Sequence, residues 1–88
     1  MANSPSAIKR VRQEATRRAR NRATKSRMRT FIRQAQEAIA GGDRNAAAVA
    51  VRSAISEIDR AASKGVIHLN NASRNKSRLM ARFNRLSD

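Results

Sequence analysis

Ten of the first 29 residues are lysine or arginine, and Glu14 is the one acid among them. The segment carries almost no large apolar side chain, so it cannot build a core of its own. Like charges spaced four apart on a helix repel one another. A dense polyanion relieves that repulsion: neutralising phosphates releases condensed counterions and gives strong, salt-dependent binding. Without such a partner, residues 1–24 are expected to be largely disordered.

The charge comes in blocks. Residues 1–29 have a net charge of +9. Residues 30–63 balance Arg33, Arg44, Arg52 and Arg60 against Glu37, Asp43, Glu57 and Asp59. Residues 64–88 set six basic groups against Asp88, net +5, which completes the +14 of the chain. Basic ends around a neutral middle suggest a scaffold carrying two binding arms. Arginine outnumbers lysine 16 to 4. Its planar fork matches phosphate oxygens and stacks on bases, but a GC-rich coding sequence gives the same bias, and the ratio alone does not decide between them.

Other classes are disfavoured. At 88 residues the chain makes one small domain. It has no cysteine, which removes disulfides and thiolate metal sites. No apolar run approaches the ~20 residues that span a bilayer. An Arg-rich N-terminus also suits an organellar transit peptide, yet the basic character returns at the other end. His68 is the sole histidine, and Glu57 and Asp59 do not share a helix face. No base is therefore set beside a nucleophile, as catalysis requires. Gly41-Gly42 lacks the surroundings of a phosphate loop. No catalytic residue, metal, cofactor or small-molecule substrate is expected.

The breakers outline three helices. Ser4-Pro5-Ser6 suits a helix start, nothing interrupts the chain up to Ala40, and Gly41-Gly42 stops it. Asp43 is a natural N-cap for a second helix with an apolar seam of Ala48, Val51, Ile55, Ile58 and Ala62. Gly65 ends that helix, Val66 and Ile67 make a short connector, and His68 to Asn71 can cap a third. The apolar face of the third comprises Ala72, Leu79, Phe83 and Leu86, with Met80 beside it and the stem of Lys76 filling the gap. The expected helices cover about 6–40, 44–63 and 69–86. Short connections imply antiparallel neighbours, hence an all-α, three-helix up-down-up bundle in a single domain, 1–88, with a long protruding basic N-terminal helix.

The first helix changes role midway. Its second half carries a core stripe of Met28, Phe31, Ile32, Ala35 and Ile39; its first half has Ile8, Val11, Ala15, Ala19 and Ala23. At ~100° per residue, Ile8 and Met28 lie roughly 200° apart around the axis. The core face therefore does not continue into the basic half, where it carries Arg10, Arg17, Asn21 and Lys25, and that half is expected to project past the bundle.

The pattern narrows the kind of polyanion. There is no tyrosine or tryptophan, and both phenylalanines fall on core stripes, so stacking of bases on aromatic platforms is not expected. Backbone and shape recognition by Arg and Lys remains. Within that class, Arg17, Arg18 and Arg22 are binding candidates on charge alone. A nucleoid-type DNA-binding architectural protein is the alternative, but it usually needs an exposed apolar wedge, and none is visible. A membrane-surface helix needs a large apolar face that residues 6–27 do not offer.

The residues also resemble a known family. Ala2-Asn3, Ser6-Ala7, Lys9-Arg10, Arg12, Lys25-Ser26 and Arg29-Thr30 are similar to the N-terminal helix of bacterial small-subunit ribosomal protein twenty. Lys64-Gly65-Val66-Ile67-His68-Leu69-Asn70, followed by Ala72, Arg74 and Lys76-Ser77-Arg78-Leu79, resembles that family's C-terminal signature. Ile8 and Leu69 stand where lysine is common in the family. The resemblance implies a non-enzymatic cytoplasmic protein of the small ribosomal subunit. It implies direct binding to several helices of small-subunit (16S) ribosomal RNA early in assembly of the 30S particle, with few protein contacts and no membrane. It also implies RNA contacts at Asn3, Ser6, Lys9, Arg10, Arg12, Lys25, Ser26, Arg29 and Thr30, and at His68, Asn70, Arg74, Lys76, Ser77 and Arg78. His68 could instead serve as the cap of the third helix, and both roles remain open.

Overall fold

The computed structural model describes residues 4–86. They form three helices and no strand: α1 (Pro5–Ala40), α2 (Arg44–Ser63) and α3 (Leu69–Asn84). The all-α bundle expected from the sequence is the fold observed. The third helix stops two residues before the expected Leu86, which lies beyond it.

Each helix starts on a side chain that satisfies an otherwise unpaired backbone N–H. Ser4 accepts from the N–H of Ala7, with Pro5 in the first turn. Asp43 accepts from Asn45 and Ala46. His68 Nδ1 accepts from the N–H of Asn70 at 3.0 Å. The exit from α2 is equally specific. Gly65 takes φ +73°, its N–H reaches the Ala62 carbonyl, and the Val66 N–H reaches that of Ala61. That pair of bonds is a Schellman close, which needs a residue at ease in the left-handed region. It turns Val66 and Ile67 back onto the core.

The core has two tiers. Near the α2–α3 connection, Met28, Ile58, Ala61 and Ala72 pack with Ile32, Val66 and Ile67. Nearer the α1–α2 turn, Ala35, Val51, Ala54 and Leu79 pack with Phe31, Ile39, Ile55 and Phe83. Alanine supplies many of the buried positions, which lets the axes come close. The seam read on α2 is broader than expected: Ala47, Ala54 and Ala61 are fully buried, while Ala48, Ile55 and Ala62 are half-buried. The reason is that α2 packs against both other helices and needs two inward faces.

The far end is tied by Arg44. Its Nη1 donates to the Leu86 carbonyl at 2.8 Å, and its guanidinium lies 4.8 Å from the centre of the Phe83 ring. At the near end, α1 simply continues. Thirty-six residues make about 54 Å of helix at 1.5 Å each, against a longest molecular dimension of 63 Å. From Ile8 through Arg20 every side chain is exposed. The helix nonetheless runs through the stretch expected to be disordered alone. Packing of the second half supplies the costly nucleus, and each further residue then adds a hydrogen bond.

Candidate nucleic-acid interface

Because α2 is antiparallel to α1 and shorter, α1 runs on past its C-terminal end. The space along α1 where α2 would continue is an open cleft of about 1220 Å³. Its walls include Lys9, Arg12, Arg17 and Arg20 of α1 and Lys64 of the connection. Gln13, Thr16 and Asn21 stand between the cations. Lys9, Gln13, Thr16 and Arg20 follow i, i+4, i+7, i+11 spacing and so share one edge of the helix. Among the described residues no acid lines this cleft.

A second basic surface lies on the other side of α1. Arg18, Arg22, Lys25 and Arg29 fall within an arc of about 60° at ~100° per residue, on the flank that leads to Ile32 and Gln36. Those two residues face α3 across a smaller groove of about 350 Å³, whose opposite wall includes Arg78, Arg82 and Arg85. Arg74, Arg78 and Arg82 of α3 and Arg85 at its C-cap recur at i, i+4, i+8, i+11 and form one continuous stripe. Among the described residues no acid lines the groove either. The first turn of α1 also contains no acid, so the positive end of the helix dipole adds to Lys9 and Arg10 instead of being offset.

The sequence-derived candidates separate accordingly. Lys9, Arg12 and Arg17 meet in the cleft. Arg18, Arg22, Lys25 and Arg29 share the α3-side flank, and Arg74 and Arg78 lie on the α3 stripe. Ser6 and Arg10 are exposed near the tip of the arm. Ser26 and Thr30 lie on the side of α1 turned away from the bundle, and the Thr30 hydroxyl donates to the Ser26 carbonyl at 2.9 Å. Asn70 and Ser77 are exposed on the outer face of α3. Asn3 lies outside the described residues.

Lys76 and His68 also have side-chain partners within the chain. Lys76 Nζ donates to Asp59 Oδ1 at 2.8 Å, and its half-buried stem fills the face beside Leu79. His68 caps α3 through Nδ1, so its neutral ring carries the proton on Nε2. The cap and an outward Nε2–H donor are compatible uses of one imidazole.

Sequence reasoning missed Arg20 and Lys64 in the cleft and Arg82 and Arg85 on the groove, although helical spacing marks Arg20, Arg82 and Arg85. It also missed the use the protein makes of Arg27. Among the described residues Glu57 is the buried charged one, its side chain 8% exposed. Arg27 Nε donates to its Oε1 at 3.0 Å, and Arg60 stands at 3.5 Å. The Arg27 guanidinium also lies 5.2 Å from the centre of the Phe31 ring. This cation of the basic block is engaged within the bundle. Glu57 and Asp59, acids of α2, are matched by Arg27, Arg60 and Lys76.

Among the described residues no group of three potential metal ligands gathers, and no helix is long and apolar enough to cross a membrane. Fold and surface together define a small all-α protein built as a cationic helical arm on a three-helix bundle.

The sequence relationships are consistent with that class. The profile of the family described as ribosomal protein S20 matches residues 2–84. The small ribosomal subunit protein bS20 of Sinorhizobium fredii is 55% identical over 87 residues, covering 99% of each chain. Its counterpart in Nitrosomonas europaea is 57% identical over 79 residues, 90% of this chain and 91% of that one. In Thermomicrobium roseum the identity is 52% over 86 residues, 98% and 87% of the two chains. The chain belongs to the ribosomal protein S20 family.

Proposed function

We propose that this chain is a structural protein of the small ribosomal subunit that binds small-subunit ribosomal RNA directly and fixes the packing of several of its helices. The carrying observation is the pair of acid-free basic clefts on either side of one helix. A single duplex cannot fill both, so the molecule is suited to lie between RNA segments. The role is structural and needs no catalytic group. Its place is the cytoplasmic ribosome, with RNA rather than protein as the main neighbour.

Contacts are assigned to Asn3, Ser6, Lys9, Arg10, Arg12, Arg17, Arg18, Arg22, Lys25, Ser26, Arg29 and Thr30 on the arm side. On the connection and α3 they are assigned to His68, Asn70, Arg74, Lys76, Ser77 and Arg78. For A-form RNA, whose deep major groove excludes side chains, most of these contacts go to phosphate and ribose. The exposed Ile8 and Leu69 occupy surface positions where a lysine would add one more phosphate contact.

Filter binding to small-subunit ribosomal RNA over a salt series tests the reading. Log affinity should fall linearly with log salt, with a slope corresponding to several neutralised phosphates. Structured ribosomal RNA should outcompete duplex DNA of equal length. Affinity independent of salt, or equal affinity for any duplex, would contradict it.

A further inference from the structure

We propose that the groove between α1 and α3 is a pocket for a single unstacked nucleotide, with Gln36 and Asn75 reading the base. This rests on the ribosomal-RNA reading above and adds a base-specific site to a surface otherwise built for phosphates.

The groove differs from the corner cleft in chemistry. Its apolar lining is the half-buried Ile32 with Ala81, backed by the edge of the buried Leu79. Its polar wall is made of two carboxamides on opposite helices, Gln36 on α1 and Asn75 on α3, and three guanidinium groups, Arg78, Arg82 and Arg85. None of these five side chains makes a hydrogen bond or ion pair among the described residues. A volume of about 350 Å³ lies at the lower end of the range for small-ligand pockets, roughly 300–1000 Å³. It suits one nucleoside and is narrow for a duplex.

Phosphates alone do not account for an apolar lining, which gains nothing from a charged, hydrated group. A nucleobase does: its faces are apolar and its edge is polar. Sequence-specific RNA recognition takes bases splayed out of the helix and packs them on aromatic rings or on guanidinium planes. The scarcity of aromatic residues therefore does not close this route, because Arg78 and Arg82 line the same groove and a guanidinium plane can stand in for a ring. A carboxamide offers a donor and an acceptor side by side, the pattern that pairs with adenine. On the base-pairing edge its N–H donates to N1 and its carbonyl accepts from the exocyclic amine. Arg85, with the other two cations, is placed for the flanking phosphates. The occupant proposed is an unpaired adenine.

The test uses the full chain on small-subunit ribosomal RNA with dimethyl sulfate, which methylates N1 of unpaired adenine. The variant is Gln36→Met with Asn75→Leu, near-isosteric changes that remove both carboxamides. Its helicity and melting are compared with the parent, and either single substitution replaces it if the pair fails to fold. The parent should protect one adenine that the variant leaves reactive. Affinity should fall about tenfold while the salt slope stays unchanged, since no cation is removed. An unchanged protection pattern, or unchanged affinity, overturns the nucleotide pocket and leaves the ribosomal reading standing. Failure of the parent chain to bind the RNA would overturn both.

Discussion

Arg27 and Glu57 are unequal partners. The carboxylate is buried, whereas the Arg27 side chain remains 57% exposed. Taking away the arginine leaves a desolvated anion with only Arg60, at 3.5 Å, beside it. Taking away the charge of Glu57 leaves a cation that can turn to water. Arg27→Ala should therefore destabilise the bundle by about 1–3 kcal/mol, several degrees in melting temperature for a domain of this size. Glu57→Gln should cost clearly less. The double change Arg27→Met with Glu57→Leu should recover much of the loss, as buried pairs often tolerate apolar replacement. Thermal melts of the three variants check the order, and equal losses for the two single changes would refute this asymmetry. The pair was hidden in the sequence for a physical reason. Arg60 sits three residues after Glu57, which reads as an exposed intrahelical pair, whereas the closer partner, Arg27, comes from a different helix.

At the scale of elements, α1 carries two kinds of helix on one backbone. From Met28 to Ile39 its turns are held by α2 and α3. From Ile8 to Arg20 they are held only by their own hydrogen bonds and alanine's propensity, against repulsion between like charges. Opening by fraying needs no tertiary contact to break there. Amide exchange of the free protein should be slow at residues 28–39 and rise steeply toward residue 6. Added ribosomal RNA should slow exchange in the arm far more than in the bundle. Uniform protection along α1 without RNA would refute the gradient. The helix ends were legible because their signals are local: Ser4, Asp43 and His68 cap through their own side chains, and Gly65 turns the chain by itself. The double inward face of α2 was not, since a one-helix pattern does not say how many neighbours will pack against it.

For the molecule as a whole, the sequence made plain that the arm is basic and lies beyond the core, but not the corner cleft. That feature depends on where the short α2 stops alongside the long α1, a relation between elements rather than a property of either. The stripe on α3 was readable from spacing alone, yet its meaning needed Gln36 and Ile32 from the facing helix. The unbroken run of α1 from Pro5 to Ala40 has a mechanical consequence: arm and bundle are threaded on one screw, so their angular phase is locked. One alanine inserted between Arg22 and Ala23 turns Lys9 and Arg20 by ~100°, off the cleft and away from Lys64. Seven inserted residues turn them ~700°, within ~20° of the original phase, while moving them ~10 Å outward. The bundle should melt unchanged in both. The single insertion should weaken RNA binding more than the sevenfold one, and equal losses would mean that the arm delivers charge without direction. If phase matters, α1 is a gauge that sets how far the RNA seated at the corner is rotated from the RNA seated against α3.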